Sequence, residues 1–166
     1  MSEIADLLER FRRGPELLAV ATTGVAGSML DFKPSEKAWS IRQVVCHLTD
    51  FETVLTMRMR QVIAEDDPLL PGFDGEKWAE SLDYSKRKLS QALETFRILR
   101  GENFELLKDL PEAAFERPAR HTELGPVSLH NLLQYAVEHV ESHARQIQRN
   151  REAYKEHRAK QAQPAS

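Results

Sequence analysis

Apolar positions along the chain fall into four long runs with helical period. In residues 3–23, Ile4, Leu7, Leu8, Phe11, Leu17, Leu18 and Val20 share one helical face. Gly14-Pro15 interrupts that run, because proline has no N–H for the helical ladder and crowds the preceding turn. The spacing predicts a kink, or a short helix restarted at Pro15. A second run opens at Trp39-Ser40-Ile41-Arg42-Gln43, where Ser40 can cap the first turn while Gln43 reaches back, a capping box. Its core face is Ile41, Val44, Val45, Leu48, Leu55, Met59, Val62 and Ile63, and it ends near Glu65-Asp66-Asp67-Pro68. The third run extends from about Tyr84 to Asp109 on Leu89, Leu93, Phe96, Leu99, Phe104 and Leu107, weakened at Gly101 and stopped by Pro111. The fourth starts at a Ser128 cap and reaches about Tyr154 on Leu129, Leu132, Leu133, Ala136, Val140 and Ile147.

The segments between are read from their breakers. Residues 24–38 hold Gly24, Gly27, Asp31, Pro34 and Ser35 and read as loop. Residues 66–82 form a long connection with a short helical turn, and a connection of that length inside a domain is more often functional than decorative. It is expected to fold over one end of the molecule as a lid. Pro118 and Gly125-Pro126 punctuate the loop before the fourth run. No alternating pattern is long enough for a sheet, and no repeat recurs at a fixed period. The fold expected is all-α, an antiparallel four-helix bundle of the up-down-up-down type over residues 1–154, with a polar, frayed tail at 155–166.

Polar residues that interrupt the apolar faces carry the candidate chemistry. His139 and His143 lie one turn apart on the fourth helix, the spacing at which two imidazoles reach one ion. His47 sits beside the core face of the second helix, in one row with Phe51, Val54 and Arg58, and helices two and four can be set side by side so that it faces the pair. Three neutral imidazoles suit Zn²⁺, Ni²⁺ or Fe²⁺ and leave a position open for water or substrate. Equally, the histidines can be buried polar groups that pair with Glu52 and backbone oxygens. Glu52 falls in the middle of an apolar stripe and needs a partner, an arginine or a histidine N–H from a facing helix. About 140° around the helix from His47, it is expected to contact a helix-four histidine, orienting the ring or acting as a base. Arg58 is a candidate for binding an anionic substrate group. Cys46 points about 100° away from His47 and reads as a buried, inert thiol. His121 is expected at the surface, with a pocket-rim role as the alternative. His130 reads as a first-turn surface residue and His157 as part of the tail.

Composition narrows the partners. Hydrophobic residues make up 41% and charged residues 30% of 166, a normal balance for one folded domain. The net charge of −3 provides no basic field for nucleic acid or an anionic membrane. No apolar run approaches the ~20 residues of a membrane span, and Met-Ser-Glu-Ile-Ala-Asp lacks the order of a signal peptide. One cysteine forms no intrachain disulfide. The expectation is a cytoplasmic protein acting on a small molecule.

The string from Trp39-Ser40-Ile41 to His47-Leu48-Thr49-Asp50-Phe51-Glu52, together with Gly125-Pro126-Val127-Ser128-Leu129 through His139-x-x-x-His143-x-x-Gln146-Ile147, resembles the DinB-like superfamily, also called the YfiT-like metal-dependent hydrolases. Arg58, Arg60, Trp78 and Ala79 sit where that family often has arginines and a Trp-Ala pair. The resemblance covers roughly residues 1–152. It implies a four-helix bundle with a divalent metal, Zn or Ni before Fe, on His47, His139 and His143, and it points to homodimers. Some members resemble hydrolases; others are thiol-dependent S-transferases that use low-molecular-weight thiols. Three classes of function follow: a metal-dependent enzyme, a metal-binding module without catalysis, and a helical interaction protein.

Overall fold

Local signals set the helix starts in the computed structural model, which describes residues 2–162. The first column is two helices, α1 (Glu3–Arg12) and α2 (Gly14–Ala21). Pro15 falls in the first turn of α2, where a missing donor is harmless, so the Gly14-Pro15 step breaks the column for one residue only. After the short α3 (Ser28–Asp31), α4 (Ile41–Ala64) is the second column. Its capping box is complete: Ser40 Oγ accepts from Gln43 N at 3.2 Å and Gln43 Oε1 accepts from Ser40 N at 2.9 Å. A small α5 (Gly75–Ser81), the third column α6 (Leu89–Leu107) and the fourth, α7 (Leu129–Ala162), complete the helices, with 3-10 turns at Tyr84–Lys86 and Glu112–Glu116.

The bundle is the expected one, but the order of directions is not simple alternation. Thr49 donates to Ala92 O and Asn103 donates to Thr56 Oγ1, so α4 and α6 run parallel. Arg10 pairs with Glu141 and Arg151 donates to Ala21 O, so the first column runs parallel to α7. Leu7 clusters with Leu107, and Leu18 with Phe96, which makes the first column antiparallel to α6. The columns therefore run up, down, down, up, and this corrects the up-down-up-down expectation. The physical reason is the long connection at 65–88, which carries the chain back to the end where α4 began before α6 starts. The first column and α4 lie on the diagonal, each packed on α6 and α7.

Three further differences have local causes. A small sheet is present: β1 (Leu69–Leu70) pairs in parallel with β2 (Pro118–His121), which forms an antiparallel hairpin with β3 (Gly125–Ser128). Strands of two and four residues containing proline are too short to show a period of two. α6 begins at Leu89 rather than Tyr84, because the 3-10 turn aims Tyr84 inward, where its hydroxyl donates to Asp50 at 2.6 Å. α7 continues past Tyr154 to Ala162, since Phe32 packs on both Tyr154 and His157; Pro164 of the expected tail lies outside the described residues. No helix among the described residues is long and apolar enough to cross a membrane.

Candidate metal centre

Because α4 and α7 are antiparallel neighbours, the row containing His47 meets the row containing His139 and His143. His139 Nε2 lies 3.1 Å from Nε2 of His47 and 3.1 Å from Nε2 of His143. One nitrogen from each of the three rings falls within 4.8 Å of the other two. Tetrahedral Zn–N bonds of ~2.0–2.1 Å put ligand nitrogens roughly 3.3 Å apart, close to what is seen. Proton counting sharpens the fit. His143 Nδ1 donates to Gln146 Oε1 at 2.7 Å, which leaves its Nε2 as a bare lone pair. His139 Nε2 is either protonated or bare. If bare, it opposes the lone pair of His143. If protonated, its one proton is shared between two neighbours while His139 Nδ1, buried without a partner, keeps an unmet lone pair. His47 Nδ1 is buried without a partner as well. Hydrogen bonds alone cannot satisfy the three Nε2 atoms together, whereas a cation shared by their lone pairs does; the Nδ1 atoms of His47 and His139 lack a partner in either case.

The connection at 65–88, which contains the segment expected as a lid over one end of the bundle, walls the cluster through Phe73 and Gly75. Phe73 stacks on His47 at 5.8 Å between ring centres, and Trp39 approaches the same ring at 4.9 Å. Asp74 caps α5 by accepting from Lys77 N at 3.0 Å, which fixes Gly75 against His47. A Cβ at Gly75 would stand 2.9 Å from His47 Cε1 and 3.1 Å from Nδ1. Gly75→Ala is therefore expected to rotate the His47 ring and weaken metal binding by about 10–100-fold, the usual effect of disturbing a ligand's support. Melting of the metal-free variant should stay within a few degrees of wild type, because alanine suits a helix start.

A cavity of about 370 Å³ opens on this wall, lined by side chains of α4, α7, the lid and the β2–β3 hairpin, His47 and His139 among them. A larger groove of about 660 Å³ between the first column and α7 contains none of the three histidines, and it is the smaller cavity that meets the chemistry.

The other sequence candidates separate. Glu52 does not contact a helix-four histidine. It is 0% exposed, and its two oxygens accept from Arg100 Nε and Nη2 at 2.8 and 2.7 Å, with Asn103 Nδ2 at 3.1 Å. The expected role in orienting a ligand or acting as a base is corrected: the arginine alternative won, and it came from α6. Arg58 is buried and lines the cavity. His121 was expected at the surface with a pocket-rim role as the alternative; it is 7% exposed in the cavity wall, nearer the alternative, because β2 turns Ala119 and His121 inward. Only a recognised strand would have shown this. Cys46 is buried, and burial pushes its thiol up to about 11, so it is inert as expected. His130 approaches Glu3 at 3.5 Å, outside the cluster.

Burial, then the neighbouring His143, pushes the His47 pKa down to about 4, and burial likewise takes His139 to about 2 and lowers His143. All three rings are neutral near pH 7, ready to bind a cation without first shedding protons. In the unfolded chain the same rings accept protons near 6.5. Between those values the unfolded state binds more protons, so stability falls as pH falls. Chelator-treated protein is expected to melt several degrees lower at about pH 5 than at about pH 7, above most of the carboxylate range. His47→Gln should flatten that dependence in a thermal-melt series.

Similarity to known proteins adds an independent line. The model of the DinB superfamily matches residues 10–147. Several relatives carry the name putative metal-dependent hydrolase, and two of them define the match. One, from Oceanobacillus iheyensis, is 30% identical over 129 residues, spanning 78% of this chain and 70% of its own length. The other, YfiT of Bacillus subtilis, is 28% identical over 134 residues, spanning 80% of this chain and 75% of its own. The solved structure of YfiT, described as a probable metal-dependent hydrolase with an unusual four-helix bundle topology, matches with a TM-score of 0.84 at 25% identity, covering 90% of this chain and 87% of that one.

Proposed function

Since the chain belongs to the DinB superfamily, we propose that it is a divalent-metal-dependent enzyme acting on a small molecule, with His47, His139 and His143 as the metal ligands and hydrolysis as its reaction. The convergence of three imidazole Nε2 atoms, whose lone pairs hydrogen bonds among the rings cannot all satisfy once the His143 proton is held by Gln146, carries this reading. A Zn²⁺, Ni²⁺ or Fe²⁺ ion held there supplies Lewis acidity that draws the pKa of water or a thiol toward neutrality. Gln146 holds the His143 ring in the ligating tautomer. Phe73, Trp39 and Phe51 press on the imidazoles from the sides and keep bulk water from them. The cavity bordering His47 and His139 takes the substrate.

The pairing of Glu52 with Arg100 favours a second reading. Hydrolysis commonly uses a protein base to manage the water proton, and the carboxylate that the sequence offered is engaged elsewhere. Transfer of a low-molecular-weight thiol needs no such base once the thiol is ionised. The test is elemental analysis of protein made without a histidine tag, followed by parallel assays of ester and amide hydrolysis and of thiol addition to an electrophile. Near-stoichiometric metal with turnover in one assay, both lost in His143→Ala, supports an enzyme and selects its reaction. Absence of metal, with no uptake of Zn²⁺, Ni²⁺ or Fe²⁺, overturns it.

A further inference from the structure

We propose that the end of the cavity away from the histidines is a carboxylate-binding subsite, in which Arg58 and His121 hold the acid group of an amphipathic substrate whose apolar body lies toward the three imidazoles. The direction of that body rests on the metal-site reading; the subsite itself does not.

Two arginines are buried among the described residues, and they are treated differently. Arg100 has Glu52 as a counter-ion. Arg58, 7% exposed, forms no ion pair among the described residues. Its Nη2 donates to Pro71 O at 2.6 Å, and its Nε is buried with no partner at all. A guanidinium withdrawn from water without an anion is costly, and burial depresses its pKa despite Tyr135 and Glu123 nearby. Glu123, on the same cavity wall with its carboxylate against Gly72, offsets that charge only in part: it forms no ion pair with the guanidinium and does not relieve Nε. An anion brought in by the substrate would.

His121 supplies a second donor. Its Nδ1 accepts from the backbone N–H groups of Glu123 and Leu124, both at 3.2 Å. In the neutral ring the proton is then on Nε2, which donates. Arg58 and His121 are close enough for the arginine charge to act on the ring, and both line the same cavity. One cation and one neutral donor match a monoanion; a phosphate dianion would keep an uncompensated charge. Phe51, Leu55, Phe73 and Leu132 line the space between the two ends. His47 and Arg58 are about 16 Å apart along α4, and an arginine reaches back toward the helix start, so the span is on the order of 10 Å. That is the length of a six-carbon chain carrying a ring.

The probes are 6-phenylhexanoate and its amide, titrated calorimetrically into chelator-treated and zinc-loaded protein. The acid is expected to bind about tenfold or more tighter than the amide, as a charge-assisted hydrogen bond requires. That preference should disappear in Arg58→Gln, shrink in His121→Ala, and persist in His143→Ala and in chelator-treated wild type. Equal binding of acid and amide overturns the proposal. So does a preference that survives unchanged in Arg58→Gln, or one lost with the metal, which would place the acid on the ion. Should Arg58→Gln not fold, the wild-type Arg58 Nε–H resonance decides: it shifts with acid and not amide, or the subsite is wrong. Protein that holds no metal yet keeps the Arg58-dependent preference would remove the metal reading and leave the subsite standing.

Discussion

His139→Ala is expected to abolish metal binding while leaving the bundle folded. His139 Nε2 sits between the Nε2 atoms of His47 and His143, 3.1 Å from each, so its loss leaves those two without the ring that joins them. Metal content should drop from near one per chain to background, a larger effect than the 10–100-fold expected from Gln146→Ala, which removes only the hydrogen bond that orients His143. Turnover should vanish in the first variant and be recovered with excess metal in the second. The ring contacts Phe51 and Tyr135, so the alanine leaves a small void at the cavity edge rather than in the main core. Far-ultraviolet circular dichroism should be unchanged. Retention of one metal per chain in His139→Ala would show that the ion sits elsewhere.

Glu52→Ala is expected to be the most destabilising single change in the α4–α6 interface. It strands Arg100, 1% exposed, with its remaining bond to the Phe11 carbonyl and its place between Phe11 and Phe96. Breaking one side of a buried ion pair costs about 3–5 kcal/mol. For a domain of this size that is a fall in melting temperature of roughly 10 °C. The double variant Glu52→Leu, Arg100→Met should recover much of the loss, because both charges go together and only the Asn103 amide loses one of its acceptors. Its zinc affinity should match wild type. A Glu52 variant of normal stability that has lost turnover would instead return the carboxylate to the chemistry.

The helices were legible in the sequence because each carries several apolar residues at helical spacing, and α4 and α7 also open on a capping serine; α6, which has no side-chain cap, is the one whose start was misplaced. His47, His139 and His143 were legible as polar interruptions of apolar faces, and their family context joined them. Glu52 was legible as a misplaced charge, but its partner was not: Arg100 hides among apolar positions on α6, and a guanidinium reads as surface until the facing helix is known. The direction of α6 depends on where the connection at 65–88 ends, which no local pattern records. His121 was left between the surface and the pocket rim for a similar reason, since a four-residue strand gives too few alternations to orient its side chains.

Placement of the two kinds of residue has an evolutionary consequence. The three imidazoles stand on α4 and α7, whereas Phe73, Gly75, His121 and Leu124, which shape what can approach them, stand on the connection at 65–88 and the β2–β3 hairpin. Connections tolerate insertion and exchange far better than packed helices. A descendant can therefore change what reaches the cavity by redrawing the lid and the hairpin while inheriting its three-histidine frame intact, and a laboratory can graft the same two pieces between relatives.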